Sequence, residues 1–451
     1  MTGIRDMSAR DRVAGADESY LLAERLFGMS APIQYAWVFP EQPDGAALTA
    51  FSDQLAAGML SRKMIERTVP FARHRWVRSP HPPSLRIQAE TIPDDGIGAW
   101  TDRTLREAAL DPVGGRGWKL VGARTDAGRF VLCLLISHMV ADGQGLYNAL
   151  AAAHAGTSVS TLPTQEQVRG TGRVAADLRD AAGQLRAAAA AGRVLVTALW
   201  RARDMPRPAA RSVPRAVAPP TAGEPDTTLA IVDVDRHAWT RRAKEAGGTG
   251  NGLFTAVLCG LVRRSRYPVG EDGTRVCIAV SNREDGDDRA NASGGVWIRV
   301  PGAIGPDTGL GEVRTLSKRA FTDYARSRAD APTDNLQAVV RLLPRPVIAR
   351  LMRGIAGPDT TVSNLGAAPD SALEIGGRRA ESFAIRAIMQ GRRAADRRAQ
   401  GPAVAAWAVE YDDKITLTFF GIHPDHFGDP DRLRDDIAAE LADWGLTGRP
   451  W

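Results

Sequence analysis

The densest chemical grouping in the chain is the segment ISHMVADGQG, Ile136 to Gly145, in which His138 and Asp142 stand four residues apart and Gly143 follows. The run before it, Phe130 to Ile136, is continuously apolar, the pattern of a strand buried on both faces. The run after it, Gly145 to Ala155, reads as a helix. The pair therefore belongs to a tight strand-to-helix connection, where polar groups are held on a rigid scaffold beside a cleft. A histidine there takes a proton near neutral pH, because its ordinary pKa is about 6.5. Asp142 has two candidate jobs: orienting the imidazole, or pairing with a distant arginine to pin the loop. The plainest reading makes Asp142 a helix N-cap and His138 the filling of a strand end.

Other reactive residues carry less. His423 and His426, in GIHPDHFGD, have a spacing that metal sites use. With only Asp425 and Asp429 nearby and no cysteine, a solvated loop is expected there, and no metal site. His74, in an arginine-rich patch, and His154, at a helix end, read as structural. AGGTGNG (Ala246 to Gly252) lacks the Lys-Ser/Thr of a phosphate-binding loop, so nucleotide hydrolysis is not expected. Cys133, Cys259 and Cys277 lie far apart, which suggests a reducing compartment and no disulfide framework.

The elements that must position His138 come from a 451-residue chain with 44% hydrophobic and 24% charged residues. That composition excludes a disordered chain. At roughly 100–200 residues per domain it also excludes a single small one. A charge of +6 is thin for a chain of this length, so nucleic acid is not an expected partner. The charged N-terminal residues carry no export signal, and no run of about 18 apolar residues is present to span a membrane. A cytoplasmic protein is expected.

Organisation turns on the middle of the chain. Between Arg169 and Arg215 lie ten arginines against Asp177, Asp180 and Asp204. The alanine-rich first part predicts a helix with a loose apolar stripe of Leu178, Leu185, Val194 and Leu199. The proline-rich part that follows predicts an extended linker. Two mixed α/β halves are thus expected, at 1–160 and 226–451, joined by a crossover at 161–225. In the first half, Trp118–Arg124 and Arg129–Ile136 flank the turn Thr125–Gly128. In the second, strands are expected at Thr228–Asp235, Arg275–Arg283, Val404–Tyr411 and Lys414–Ile422, and helices at Leu253–Ser265 and Pro430–Gly445. The basic crossover reads as a solvated connector, or else as a contact with anionic lipid or an acidic carrier protein through Leu199 and Trp200.

Taken together, His138, Asp142 and Gly143 resemble the HxxxDG motif of the acyltransferase superfamily that includes chloramphenicol acetyltransferase. Further segments are similar to its wax-ester synthase/diacylglycerol acyltransferase and condensation-domain branches, in the same order along most of the chain. These are VPFARHRW (Val69 to Trp76), Asp111 and Trp118 in LDPVGGRGWKL, Asn251 in GTGNGLFTAVLCGLVRR, AVSNRED (Ala279 to Asp285), Asn291, and VSNLG (Val362 to Gly366). Departures exist: Ser137 stands where wax-ester synthases usually carry a second histidine, Gly252 replaces an aspartate, and the plant-type DFGWG segment is absent.

The resemblance implies an α+β sandwich of two chloramphenicol-acetyltransferase-like domains with a tunnel between them. It implies acyl transfer from a thioester to an alcohol, with His138 as general base. Alternatives are a condensation-type enzyme using a carrier-bound acyl group, or a catalytically silent binding module. It further implies Ser363, Asn364 or amides near Gly143 as oxyanion donors, and Arg283 as the partner of Asp142. No cofactor is implied beyond acyl-CoA or an acyl-carrier thioester as co-substrate. Partners are that donor, a small alcohol or amine, an acyl or peptidyl carrier protein, and a peripheral membrane surface.

Overall fold

Helices and strands alternate from the start of the computed structural model. It describes residues 11–202, 226–284, 286–330, 333–354 and 357–451, with side chains left undescribed at 194–202, 327–330 and 333–336. The first half runs α1 (Gly15–Phe27), β1 (Pro32–Phe39), α2 (Gly45–Ala57), β2 (Arg62–Ile65), β3 (Arg75–Arg78), β4 (Leu85–Ile87), α3 (Ile97–Arg106), β5 (Trp118–Arg124), β6 (Phe130–Ser137) and α4 (Gly143–His154). A long helix, α5 (Thr171–Ala202), leads out of it.

The second half opens with β7 (Thr228–Asp235), α6 (Arg236–Glu245), α7 (Gly250–Arg264), β8 (Thr274–Ser281) and β9 (Ser293–Val300). Then come α8 (Gly311–Asp330), α9 (Thr333–Val340), α10 (Arg345–Gly354), β10 (Thr360–Ala367) and α11 (Asp370–Leu373). Two short strands, β11 (Glu374–Ile375) and β12 (Arg378–Arg379), precede β13 (Ser382–Ala387) and α12 (Ala394–Ala399). The chain closes with β14 (Val404–Tyr411), β15 (Lys414–Gly421), α13 (Pro424–Phe427), α14 (Pro430–Asp443) and β16 (Gly448–Pro450).

Two main sheets result. One has the order β13-β1-β6-β5-β4, the other β16-β7-β15-β14-β10-β8-β9. The apolar run expected as a doubly buried strand is β6, and every residue from Phe130 to Ile136 is fully buried. Side chains alternate between the two faces of a strand. Phe130, Leu132, Leu134 and Ile136 enter a core with Leu48 and Leu55 of α2 and Leu146 and Leu150 of α4. Val131, Cys133 and Leu135 face the other sheet, meeting Ile231 and Leu229 of β7. The far face of the second sheet is covered by Leu253, Val257 and Leu261 of α7 and Ile437 and Leu441 of α14. The layers are therefore helix, sheet, sheet, helix. Each such buried side chain stabilises by roughly 1.5–3 kcal/mol, so the end of β6 is firmly placed.

One strand ties the halves, and a gap opens within the second sheet. Strand β13, from the second half of the sequence, pairs antiparallel with β1 from Ile33↔Ala387 to Val38↔Ser382, completing the first sheet. In the second sheet, β10 pairs with β8 only at Thr360↔Val276, Thr361↔Cys277 and Val362↔Ile278. Beyond that point Ser363 and Asn364 keep their partners on β14, and Ala279 to Ser281 keep theirs on β9, so the sheet parts between the two strands.

The long helix departs from expectation in detail. Leu178 and Leu185 are exposed, while Asp177, Ala181, Ala188 and Ala191 are buried. The packed stripe is alanine because the helix sits close to its neighbours, and Asp177 is drawn in by Arg12 and Thr68. The side chains of Val194, Leu199 and Trp200, and the proline-rich linker, lie outside the described residues. Among the described residues no helix is long and apolar enough to cross a membrane.

Candidate active site

Strand β6 ends at Ser137, and the chain turns tightly before α4. Ser137 O accepts from Val140 N at 2.8 Å, and His138 N donates to Ala31 O at 2.9 Å. Asp142 is the N-cap of α4, its Oδ1 accepting from Gly145 N at 2.7 Å. The same Oδ1 accepts from Arg283 Nη2 at 2.8 Å, and Oδ2 accepts from Ala292 N at 2.7 Å and Ser293 Oγ at 3.2 Å. The two readings of Asp142 that concern the loop, cap and arginine partner, thus coexist, and its oxygens are spent on them rather than on the imidazole. Arg283 also donates Nη1 to the carbonyls of Asp287 and Arg289. Both side chains of the pair are almost wholly buried, at 4% and 6% exposure. This ion pair fastens the loop from the first sheet to the β8–β9 connection of the second.

Gly143 is confined from two sides. Its carbonyl accepts from Tyr35 Oη at 2.8 Å, and a Cβ built on it would stand 2.6 Å from Leu365 Cδ2. A larger residue at this position would have to displace the Leu365 side chain of strand β10. Ser363 and Asn364 lie on that strand, two residues and one residue before Leu365. Both are half-buried, and Asn364 Oδ1 accepts locally from Gly366 N at 2.9 Å. The structure therefore brings His138, Asp142, Gly143 and Arg283 together. It sets Ser363 and Asn364 at the parting of β8 and β10, without a hydrogen bond to His138 among those described.

The imidazole is wired by residues that the sequence does not advertise. His138 Nδ1 lies 3.0 Å from Asn291 Oδ1. Asn291 Nδ2 donates to His138 O at 2.7 Å and to Asp17 Oδ1 at 2.9 Å. Because the amide nitrogen is committed twice, the oxygen faces the ring, and Nδ1 must carry the proton. Nε2 is then the unprotonated nitrogen. Tyr20 stacks on the ring, with centroids 4.5 Å apart and planes 19° from parallel. Burial holds the His138 pKa below the ordinary imidazole value and keeps the ring neutral.

Asp17 and Tyr20 sit three residues apart and share a face of α1. Asp17 is buried, and burial pushes its carboxyl up to about 6, against the hydrogen bond from Asn291 and the charge of Arg62. Arg62 is itself lowered to about 10 by burial. Asn291 was legible only as a match to a family position, and Asp17 and Tyr20 were not singled out by the sequence at all.

The other histidines fall elsewhere. His423 is not in a solvated loop but is buried at the start of α13, with the rings of Tyr267 and His426 packed beside it. Its pKa is lowered to about 4, chiefly by burial. His74 is buried too, and its Nδ1 accepts from Arg67 N. Among the described residues no group of three or more His, Cys, Asp or Glu is placed to hold a metal ion.

With this geometry in hand, the comparisons are informative about the fold. No protein-family model matches the chain, and no curated protein matches its sequence. Solved structures do. A condensation domain from the Monacolin K polyketide synthase MokA superposes with TM-score 0.58 at 13% identity, covering 96% of each chain. The wax ester synthase/diacylglycerol acyltransferase from Marinobacter aquaeolei VT8 gives TM-score 0.57 at 14% identity, over 96% of this chain and 98% of that one. The first condensation domain of the CDA synthetase gives 0.59 at 16%, with 96% of each chain covered. The fold is the two-lobed α/β sandwich common to these proteins, over nearly the whole chain, as the motif order led one to expect.

Proposed function

We propose that the chain is an acyltransferase that moves an acyl group from a thioester to a small hydroxyl- or amine-bearing acceptor, with His138 as general base. The observation that carries this reading is the tautomer imposed by Asn291, which leaves Nε2 of a neutral imidazole as a proton acceptor. His138 Nε2 takes the acceptor's proton as its oxygen or nitrogen attacks the thioester carbonyl. The C–S bond then breaks, and the same proton passes to the departing thiolate. General base catalysis of this kind contributes roughly 10²–10⁴-fold. No acyl-enzyme is needed, since both reactants meet at one base.

Charge on the carbonyl oxygen requires a donor. Ser363, Asn364 and the first amides of α4 near Gly143 are assigned that role, at the parting of β8 and β10 and at the positive end of a helix. Asp142 and Arg283 act as positioning residues, keeping the base at the seam between the sheets. The likeness to a wax ester synthase favours an alcohol acceptor and free acyl-CoA, and the likeness to condensation domains favours a carrier-bound donor. A silent binding module would not need a histidine with one nitrogen so deliberately occupied.

The test is incubation of the purified protein with acyl-CoAs of several lengths and with alcohols and amines, read by mass spectrometry, alongside the same acyl groups on a carrier protein. Ester or amide formation that needs the protein supports the reading. Absence of product from both donor classes across the panel contradicts it.

A further inference from the structure

Helix α1 meets the candidate base with a second side chain besides Tyr20. Asp17 is buried at 1% exposure, and its carboxylate is met by hydrogen-bond donors alone. Oδ1 accepts from Asn291 Nδ2 at 2.9 Å. Oδ2 accepts from Ala14 N at 3.2 Å, at the start of α1, and from Trp76 Nε1 of β3 at 3.4 Å. These bonds suit the ionised carboxylate, which only accepts. A proton on either oxygen would point at a donor.

The surrounding charges come from several elements. Arg62, on β2, favours the anion through its charge, while its guanidinium donates to the carbonyls of Met59 and Asp288. The other ionisable groups of the cluster are Tyr20 on α1, His138, and the Asp142–Arg283 pair. Burial works against the donors and against Arg62, and pushes the Asp17 carboxyl up to about 6. It is therefore ionised at neutral pH and protonated at pH 5.

These contacts extend the wiring of the imidazole by one step. The anion accepts from the Asn291 amide nitrogen, that nitrogen also donates to His138 O, and the amide oxygen faces Nδ1 of the ring. We propose that Asp17 is a positioning residue for His138, acting through Asn291: its negative charge holds the amide oxygen toward Nδ1 and so keeps Nε2 free to accept a proton. Hydrogen bonds in a chain polarise one another, so the anion also strengthens the bond at Nδ1. Asparagine at position 17 would offer one acceptor oxygen to donors on two sides, and either Asn291 or the Ala14 and Trp76 donors would go without. Protonation of Asp17 creates the same conflict, so the alignment of the base weakens as pH falls through about 6. The catalytic consequence rests on the reading of His138 as general base given above.

The test joins nitrogen NMR of the His138 ring in the full chain to acyl-transfer kinetics across the acid range. In the parent, kcat/KM reports the free enzyme, and it is expected to fall with an apparent pKa of about 6 while the ring is still neutral. In Asp17→Asn at neutral pH, kcat should drop about tenfold, a part of the general-base contribution, with KM within about twofold of parent. The ring should shift in part from the Nδ1-protonated to the Nε2-protonated form, and the remaining acid limb should coincide with ring protonation. A purely structural Asp17 would alter stability but leave tautomer and limb in place, and that result overturns the proposal. So does a parental limb that coincides with ring protonation, a comparison that needs no variant and decides the matter if Asp17→Asn does not fold. The ring readout needs no turnover either. A tautomer shifted by Asp17→Asn in a protein that transfers no acyl group keeps the positioning role and sinks the proposed reaction alone.

Discussion

His138 and His423 each stand just after a buried strand, and the two outcomes differ. His138 follows β6 and begins the turn into α4, and His423 follows β15 and begins α13. Both strands are deeply buried. His138 has its Nδ1 held by Asn291 and its face covered by Tyr20. His423 has Nδ1 buried without a hydrogen-bond partner, and its neighbours are Tyr267 and His426. A strand end therefore does not make a base. What distinguishes the first connection is that α1 and the β8–β9 segment, from far apart in sequence, both reach into it.

On this contrast, breaking the ties at His138 should cost far more than altering His423. The largest effect is expected from His138→Ala, which should lower turnover by about 10²–10⁴-fold while thermal unfolding stays near the parental midpoint. Parental turnover in that variant would remove the base assignment. Next, Arg283→Ala leaves the Asp142 carboxylate buried without its counter-ion. Breaking such a pair costs about 3–5 kcal/mol, measured by chemical denaturation, and Asp142→Ala should lose a similar amount. In the double variant the losses should fall well short of additive, because the pair acts as one unit. Full additivity would show that the two residues work independently.

A subtler effect concerns pH. Asp17 is raised from 3.8 to about 6 in the folded protein, so the folded state holds a proton that the unfolded chain has released. Its contribution favours folding below pH 4 and is lost as pH climbs through 6, a change of about 3 kcal/mol at 1.36 kcal/mol per unit. Asp17→Asn should remove that slope, seen as the difference between variant and parent in unfolding free energy from pH 4 to 7. Parallel curves would contradict the assignment. The smallest effect should come from His423→Phe, which keeps an apolar, ring-filled site: turnover within twofold of parent, and stability shifted by less than about 1.5 kcal/mol.

The contrast also explains what could be read from the chain alone. The strands from Trp118 to Arg124 and from Thr228 to Asp235, and the turn at Thr125–Gly128, were legible because apolar pattern and turn chemistry are local. Asp142 as cap was legible from the local strand-to-helix pattern, whereas Arg283 as its partner was legible only with the family's motif order in view. Asp17 and Tyr20 were not, since their role depends on α1 lying across the mouth of β6, a non-local packing fact. The same limit misread the packed face of the long helix: Leu178 and Leu185 looked like its core stripe, yet alanines are buried and the leucines are exposed. His423 was misjudged for the converse reason, since polar neighbours in sequence gave no sign of the aromatic ring packed on it.

The central claim is that Asn291 fixes His138 as a neutral imidazole with its proton on Nδ1. Nitrogen NMR of the ring, with the histidine signals assigned through His138→Ala, measures this directly at neutral pH. The account predicts a protonated Nδ1 and a bare Nε2, with the Nδ1 preference lost in Asn291→Ala. A His138 ring protonated on Nε2, or doubly protonated at pH 7, would contradict it.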